Sequence, residues 1–499
     1  MTILIPSNSA ADAAPTQTTP GGDQLRTRPP RPVRPRMPTL TTPARIKLRV
    51  CLILLTTVAL VATLVISLTG LRGGLRAISQ RNAPAVTAAT DLYFVLNDMD
   101  AQVANVLLVG QDQNLGFTRQ QALDIYDQRR RQAATDSQLA ATAVGADAAG
   151  QQAVRAILDH LGRYQALAAE TILLDGQSPH PAGRPPAAAL QRYRQATDLL
   201  KSDLLPAARV LIDRNAHALQ VSYNHQRATA VTLRGWLIVV GVLLLLELAA
   251  LQLYLARRFR RQINPILAAA TLAAVVLTLF AGVILSDTVE HLRVAKKDAY
   301  DSVFALTQAR AVSYDANAYE SRYLVDPARA GQYESAFLAE SQQLARLGGA
   351  DIAGYDTALQ AALQAYHARN TDVRIDGYFG TELRNITFSG ERAAADRTLD
   401  RYQVYQRDDR RIRALAAGGD LRGAIAFCTS FHPGDSNYAF DQYDSSLTAL
   451  ITINQNAFDR AVSDGIRELD GWTLEWAAAA AAVVLLTLLG VRSRLAEYR

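Results

Sequence analysis

WLIVVGVLLLLELAALQLYLA (residues 236–256), RRFRRQIN (257–264) and PILAAATLAAVVLTLFAGVILS (265–286) are consecutive, and two apolar runs split by four arginines decide how the chain is read. Each run is long enough to cross a hydrocarbon layer of about 30 Å as a helix, and the short loop between them makes a hairpin. Two more such runs, Val50 to Leu71 and Trp472 to Val491, lie nearer the ends. The order is span, long polar stretch, hairpin, long polar stretch, span. This implies an all-α membrane protein with four transmembrane helices and two extracytoplasmic helical-bundle domains. The expected divisions are a basic arm over 1–48, spans over 49–71, 236–256, 265–286 and 472–491, bundles over 72–235 and 287–471, an arginine loop over 257–264 and a tail over 492–499.

Basic flanks set the expected orientation. Arg26, Arg28, Arg31, Arg34, Arg36, Arg45, Lys47 and Arg49 precede the first span with no acid among them. The hairpin carries Arg257, Arg258, Arg260 and Arg261, and the tail Arg492, Arg494 and Arg499. The positive-inside rule puts all three at the cytoplasmic face, so both termini are expected inside a multi-pass cell-membrane protein. Arg72, Arg76 and Arg81, just past the other end of the first span, argue weakly the other way. The first run reads as a retained anchor, because a polar arm precedes it and no clear small-residue cleavage site follows. The formal net charge of +6 comes from these flanks, whose ready partners are anionic lipid headgroups, so a nucleic-acid role has little support. Cys51 lies in a span and Cys428 in the second polar stretch, too far apart in depth to pair. The Pro- and Thr-rich arm, as in Arg28-Pro29-Pro30-Arg31-Pro32, lacks the apolar content to fold and reads as a disordered tether or docking segment.

The polar stretches are patterned as helices. Leu92, Val95, Leu96, Met99, Val103, Val106 and Leu107 recur at three-and-four spacing, as do Leu200, Leu204, Ala207, Leu211 and Ala218. Breaks at Gly110 to Gly116, Gly145 to Gly150 and Gly176 to Pro186 give the first stretch four helices, two of them running directly out of the spans. The second stretch is expected to repeat this plan with more elaboration, with helices over Tyr300 to Leu324, Ala330 to Leu347, Tyr355 to Val373 and Phe440 to Leu469. Asn215-Ala216 and Asn456-Ala457, each upstream of a Gly-Trp at 235–236 and 471–472, suggest a duplication. No GxGxxG, GxxxxGK[ST], HExxH or CxxC occurs, and the seven histidines are scattered, so no catalytic residue, metal site or cofactor is expected. The cytoplasmic parts are too small to fold as a kinase or cyclase.

Three runs carry a resemblance: Tyr314-Asp315-Ala316-Asn317-Ala318-Tyr319-Glu320-Ser321-Arg322-Tyr323-Leu324-Val325-Asp326-Pro327, Gly380-Thr381-Glu382-Leu383-Arg384-Asn385-Ile386-Thr387-Phe388 and Asn437-Tyr438-Ala439-Phe440-Asp441. Together with Leu204-Leu205-Pro206-Ala207-Ala208, they make the chain resemble the actinobacterial GlnX-type membrane proteins over about nine tenths of its length. The Asp-Ala-Asn-x-x-Glu-Ser-Arg run is the most specific piece. The resemblance implies a relay of amino-acid status, from an extracytoplasmic solute-binding lipoprotein to a cytoplasmic Ser/Thr protein kinase. Chemoreceptor-like bundles commonly work as dimers, so fold-level analogy adds a homodimer.

On a helix, Asp315, Tyr319 and Arg322 lie at steps of four and three, with Asn317 and Glu320 on a neighbouring stripe. Such a mixed face suits an amino-acid ligand or a partner's polar loop, and equally suits intrahelical ion pairs on a solvated surface. Asn385 and Thr387 join this candidate binding set, although helix-end capping explains them as well. Glu247, in the middle of a span, must face other helices, be protonated, or both. Thr271 and Thr278 are the expected donors; an ion pathway and a dimer contact are the alternatives. The chain is then either a ligand-operated receptor, coupled through Glu247 and the four hairpin arginines, or a passive envelope scaffold or transport-associated subunit.

Overall fold

A computed structural model describes residues 41–259, 264–471 and 473–496. The arm before residue 41, Arg260, Arg261, Trp472 and the last three residues lie outside the described residues, and of Arg258 only the helical backbone is described. The described residues form helices joined by short turns; their one extended pairing is an isolated bridge between Arg346 and Asp376.

Four helical rods are long and apolar enough to cross a membrane. The first is α1 (Thr42–Ala77), a π-helical turn (Ile78–Asn82) and α2 (Ala83–Val109), continuous over 68 residues. Gly110, at φ 55°, ends it. Two helices follow, α3 (Arg119–Ala141), started by a Thr118–Gln121 capping box, and α4 (Ala148–Gln177), started by Asp147 accepting from the Gly150 N–H. The second rod is α5 (Ala187–Leu199), a π turn (Leu200–Leu204) and α6 (Leu205–Phe259). Asn264 caps the third rod, which has Pro265 in its first turn: α7 (Pro265–Arg293), a π turn (Val294–Tyr300) and α8 (Asp301–Val325). After α9 (Ala330–Leu344), α10 (Tyr355–Ala368), α11 (Gly377–Asn385), α12 (Glu391–Ala417) and α13 (Leu421–Thr429), the fourth rod is formed by α14 (Ser436–Gly471) and α15 (Thr473–Ala496).

In the membrane part, α1 packs on α6, α6 on α7, α7 on α15 and α15 on α1, closing a four-helix ring. Leu60, Leu64, Leu244, Leu248, Ala270, Ala274 and Val483 fill its interior, while Leu55, Ile66, Leu246, Leu279 and Leu485 point outward. A soluble bundle would hide those outward side chains; a bilayer solvates them. Glycines let the helices approach: a Cβ on Gly241 would run into Thr278, and one on Gly490 would meet Leu267 at 2.8 Å.

The polar stretches pack against each other in one helical head, with one core shared between them and another built from the second stretch alone. The breaks in the first stretch fall where expected, and its four helices pack together. The second stretch is the more elaborate, as expected, with α11, α12 and α13 between α10 and α14. Two central helices, α2 and α8, lie against each other. Nearly every residue of α2 is buried, because α3 to α6 cover one side and α8 the other. Ala311, Leu324, Ile412, Ile425 and Phe427 of the second stretch share a core with Leu92, Leu96, Met99, Val103 and Leu107 of the first. The two Asn-Ala pairs are not equivalent: Asn215 is buried and donates to the Ala85 and Ala140 carbonyls, whereas Asn456 is exposed and Asn454 is the buried one.

Close packing at Gly241 has a measurable consequence. Gly241→Leu is expected to destabilise the full chain in detergent by roughly 1–3 kcal/mol, as overpacking does, seen as a lower Tm. Gly282→Leu, at a glycine with open space around it, should leave the Tm within about a degree of the parent.

Candidate functional site: a buried ion network joining the half-chains

At the centre of the head lies a carboxylate that the sequence reading missed. Asp100, on α2, has no exposure. Its Oδ1 accepts from the Tyr164 hydroxyl of α4 at 3.3 Å and from Thr197 Oγ1 of α5 at 3.0 Å. Its Oδ2 accepts from the Tyr193 hydroxyl at 3.0 Å and from Arg322 Nε of α8 at 3.0 Å. Arg322 Nη2 also lies 2.9 Å from that oxygen, and Nη1 donates to Asp315 at 3.2 Å. Lys201, carried by the π turn of the second rod, forms an ion pair with Asp315. Tyr319 closes the group, with Lys201 4.3 Å and the Arg322 guanidinium 4.7 Å from its ring centroid.

The electrostatics follow from burial and pairing. Burial works against the Asp315 charge, but Lys201 and Arg322 outweigh it and hold Asp315 below the usual carboxylate range. Burial, then the Asp100 charge, pushes Tyr164 and Tyr193 well above the ordinary phenol value, so both remain hydroxyl donors to Asp100. Further links run between the halves. Ser321 donates to Asn105 at 2.8 Å, Gln308 to Thr90 at 3.0 Å, and Arg422 to Asp112 at 2.8 Å, while Arg194 pairs with buried Asp326.

The expected ligand face on Asp315–Arg322 is therefore corrected in its setting. Asp315 is 2% exposed, Glu320 1% and Arg322 0%, so α8 presents these charges to α2 and α12 and not to solvent. Asn317, half-buried, donates to Glu320 at 3.2 Å; Tyr319 is spent on the two cations. Glu320 belongs to a second buried group with Asp409 and Arg413, which pair at 2.8 Å, and burial, then Asp409, pushes its carboxyl well above the usual range.

Asn385 and Thr387 do local structural work. Asn385 Nδ2 donates to the carbonyls of Lys297 and Asp298 and to Ser302, satisfying groups in and just after the π turn of the third rod. Thr387 Oγ1 donates back to the Asn385 carbonyl, and its N–H donates at 2.6 Å to Glu391. Glu391 also accepts from the Phe388 N–H. Beside Glu391 is Glu382, 1% exposed, whose carboxyl is pushed up to about 8 by burial and, among further causes, the neighbouring Glu391. Glu340, near the central network, is pushed up to about 7 by burial and then Asp315.

In the membrane part, Glu247 accepts from Thr56 Oγ1 of α1 at 2.9 Å. The expected donors are otherwise engaged: Thr271 with Gln252, and Thr278 with its own helix. Arg257 is exposed where α6 leaves the ring. Arg49 donates to the Ala250 carbonyl and stacks on Tyr254, and Asn264 donates to the Gly490 carbonyl, so the three basic flanks meet at one end of the ring. At the other end, Arg72 pairs with Asp470 and Arg81 donates to the Thr142 carbonyl. Those two arginines are structural contacts, which accounts for a basic flank on the side away from the hairpin.

With this geometry in hand, residues 74–224 match the family model described as an actinobacterial sensor domain. The matched stretch runs from late α1 into α6 and supplies Asp100, Tyr164, Tyr193, Thr197 and Lys201; Asp315 and Arg322 come from outside it. The match supports a sensor protein of the kind found in actinobacteria. No curated protein and no solved structure matches the chain.

Arg322→Ala strands Asp100 and part of Asp315 in the interior and should cost about 3–5 kcal/mol of head stability, read as a lower Tm of the full chain. Asp100→Asn combined with Arg322→Met should recover much of that loss, since the unpaired charge disappears with its partner. Glu382 gives a pH signature. Its folded value, about 8, stands above the ordinary 4.5, so its contribution is full below about 4.5 and is lost as pH rises through 8. Melting curves should show stability falling over that window, and Glu382→Gln should flatten the fall.

Proposed function

We propose that the protein is a non-enzymatic transmembrane relay. Its head receives an extracytoplasmic signal, an amino-acid ligand or a ligand-loaded solute-binding protein, and its spans pass the state to a cytoplasmic partner such as a Ser/Thr protein kinase. One observation carries the reading: Arg322 on the rod leaving the third span is fixed to Asp100 on the rod leaving the first. A movement of the head that carries this clamped pair is passed to α1 and α7, because no loop intervenes to absorb it. The sensor-domain match supports the receiving end, and the resemblance to GlnX-type proteins supports the kinase at the other. The positive-inside rule puts the meeting point of the basic flanks in the cytoplasm, where Arg257 and its neighbours can touch anionic headgroups and a partner. In this reading Glu247 acts as a hydrogen-bonded tie between α6 and α1, holding two moving spans in register.

Two measurements test this. A phosphatase reporter inserted after Gly176 should be active outside the cell; activity only from cytoplasmic reporters would invert the topology. A photo-crosslinker at Arg257 in native membranes should capture a Ser/Thr kinase, and bridging Arg72→Cys to Asp470→Cys with a bis-maleimide should change that kinase's activity. A passive scaffold of the same topology gives the first result and not the second.

A further inference from the structure

A groove of about 520 Å³ opens between α12 and the start of α14, away from the central network, and falls within the size range of small-molecule sites. One face of α12 lines it with Arg401, Arg407, Asp408 and Arg411, spaced so that they share a side of the helix. Tyr438 and Gln442, from the first two turns of α14, line the facing wall.

The groove gathers arginines that no carboxylate pairs. Arginines elsewhere in the head, such as Arg194, Arg310, Arg329 and Arg413, pair with carboxylates. Arg401, Arg407 and Arg411 form no ion pair with any described residue, and Asp408 is the groove's one acidic lining residue. Three guanidiniums face the one lining carboxylate, and Asp435, beside Gly434, acts on that carboxylate from the start of α14, so positive charge remains in excess. Two of the three are held in place without being neutralised. Arg401 Nη1 donates to the Gln442 carbonyl at 2.8 Å and to Ser446 Oγ at 2.7 Å, and Arg411 stacks on Phe427 at 4.2 Å. Arg407 is exposed and has no hydrogen-bond partner among the described residues. The N-terminus of α14, a helix of 36 residues, adds its partial positive charge and unpaired N–H groups beside the same space.

We infer that this groove is a binding site for a small dianion, held by Arg401, Arg407 and Arg411 at the N-terminal end of α14. Prepositioned guanidiniums lower the ordering cost of binding, and their planar forks suit carboxylate or phosphate oxygens. Lipid headgroups are not the source. From Gln442 to Gly471, α14 runs 29 residues, about 44 Å at 1.5 Å per residue, so the groove stands far from the ring of spans. The site goes beyond the relay, since an anion can bind here whether or not a signal crosses the membrane.

Calorimetric titration of the purified full chain in detergent at low salt tests the site, with succinate, inorganic phosphate and the monoanion acetate as probes. Succinate or phosphate should bind roughly tenfold or more tightly than acetate, and the better of the two identifies the source as a dicarboxylate or a phosphate. Arg407→Ala, at an exposed side chain with no hydrogen bond or ion pair to a described residue, should weaken binding about tenfold with little change in Tm, and Asp408→Asn should tighten it. The site is overturned if neither dianion binds at about 10 mM, or if Arg407→Ala binds both as the parent does.

Discussion

A guanidinium with no solvent exposure is costly to place, and the head is organised around the one at Arg322. Removing such a charge from water costs several kcal/mol even after relaxation, so Arg322 persists in the interior only because carboxylates surround it. Asp100 and Asp315 supply them, and each is held by further donors, from Tyr164, Tyr193 and Thr197 on one and Lys201 on the other. Those donors come from α4, from α5 and from the π turn after α5. Satisfying one arginine therefore fixes the mutual placement of helices from both polar stretches. The apolar core on either side could be satisfied by many sliding arrangements of α2 against α8; the ion network selects one.

That selection matters because the rods do not end where the apolar spans do. Below the head, each helix must present an apolar seam to a four-helix ring; above it, the same helix must fit a different set of neighbours. A π turn widens the helix by one residue and so rotates the phase of the side chains beyond it. The turns at Ile78–Asn82 and Val294–Tyr300 stand a short way past the first and third spans, where such a reset is needed. Each leaves polar groups that need partners. Asn82 finds Ser222 on α6 at 2.8 Å, and Asn385 on α11 donates to two carbonyls of the other turn.

The spans, the breaks at Gly110 and in the Pro-rich turn before α5, and the helical character of the head were legible in the sequence, because apolar period and backbone chemistry are local. The setting of Arg322 was not. Its partner Asp100 lies 222 residues away, and no spacing rule connects residues that meet only through tertiary packing. The same holds for Glu247, whose donor Thr56 is 191 residues distant on another span. A signal did exist: Asp98 and Asp100, with Asn97, Gln102 and Asn105, interrupt a largely apolar run from Leu92 to Val109, and a carboxylate in so apolar a helix must be paired. Helices α11 to α13 escaped notice because they are short or charge-rich, as in the Asp- and Arg-laden α12, where apolar periodicity is diluted.

Contacts between the rods differ sharply in strength with height. At the centre of the head, separating Asp100 from Arg322 exposes no water and strands two charges. At the boundary with the spans, Arg72 meets an Asp470 whose side chain is 48% exposed, and His291 meets a Glu468 at 38%. Pairs as wet as these contribute about 0–1 kcal/mol each, because water replaces either partner at little cost. The strong contact between the rods thus sits inside the head and the weak ones at the boundary with the spans. Any relay built on this chain has its stiff element at Arg322 and its compliant one at the membrane surface.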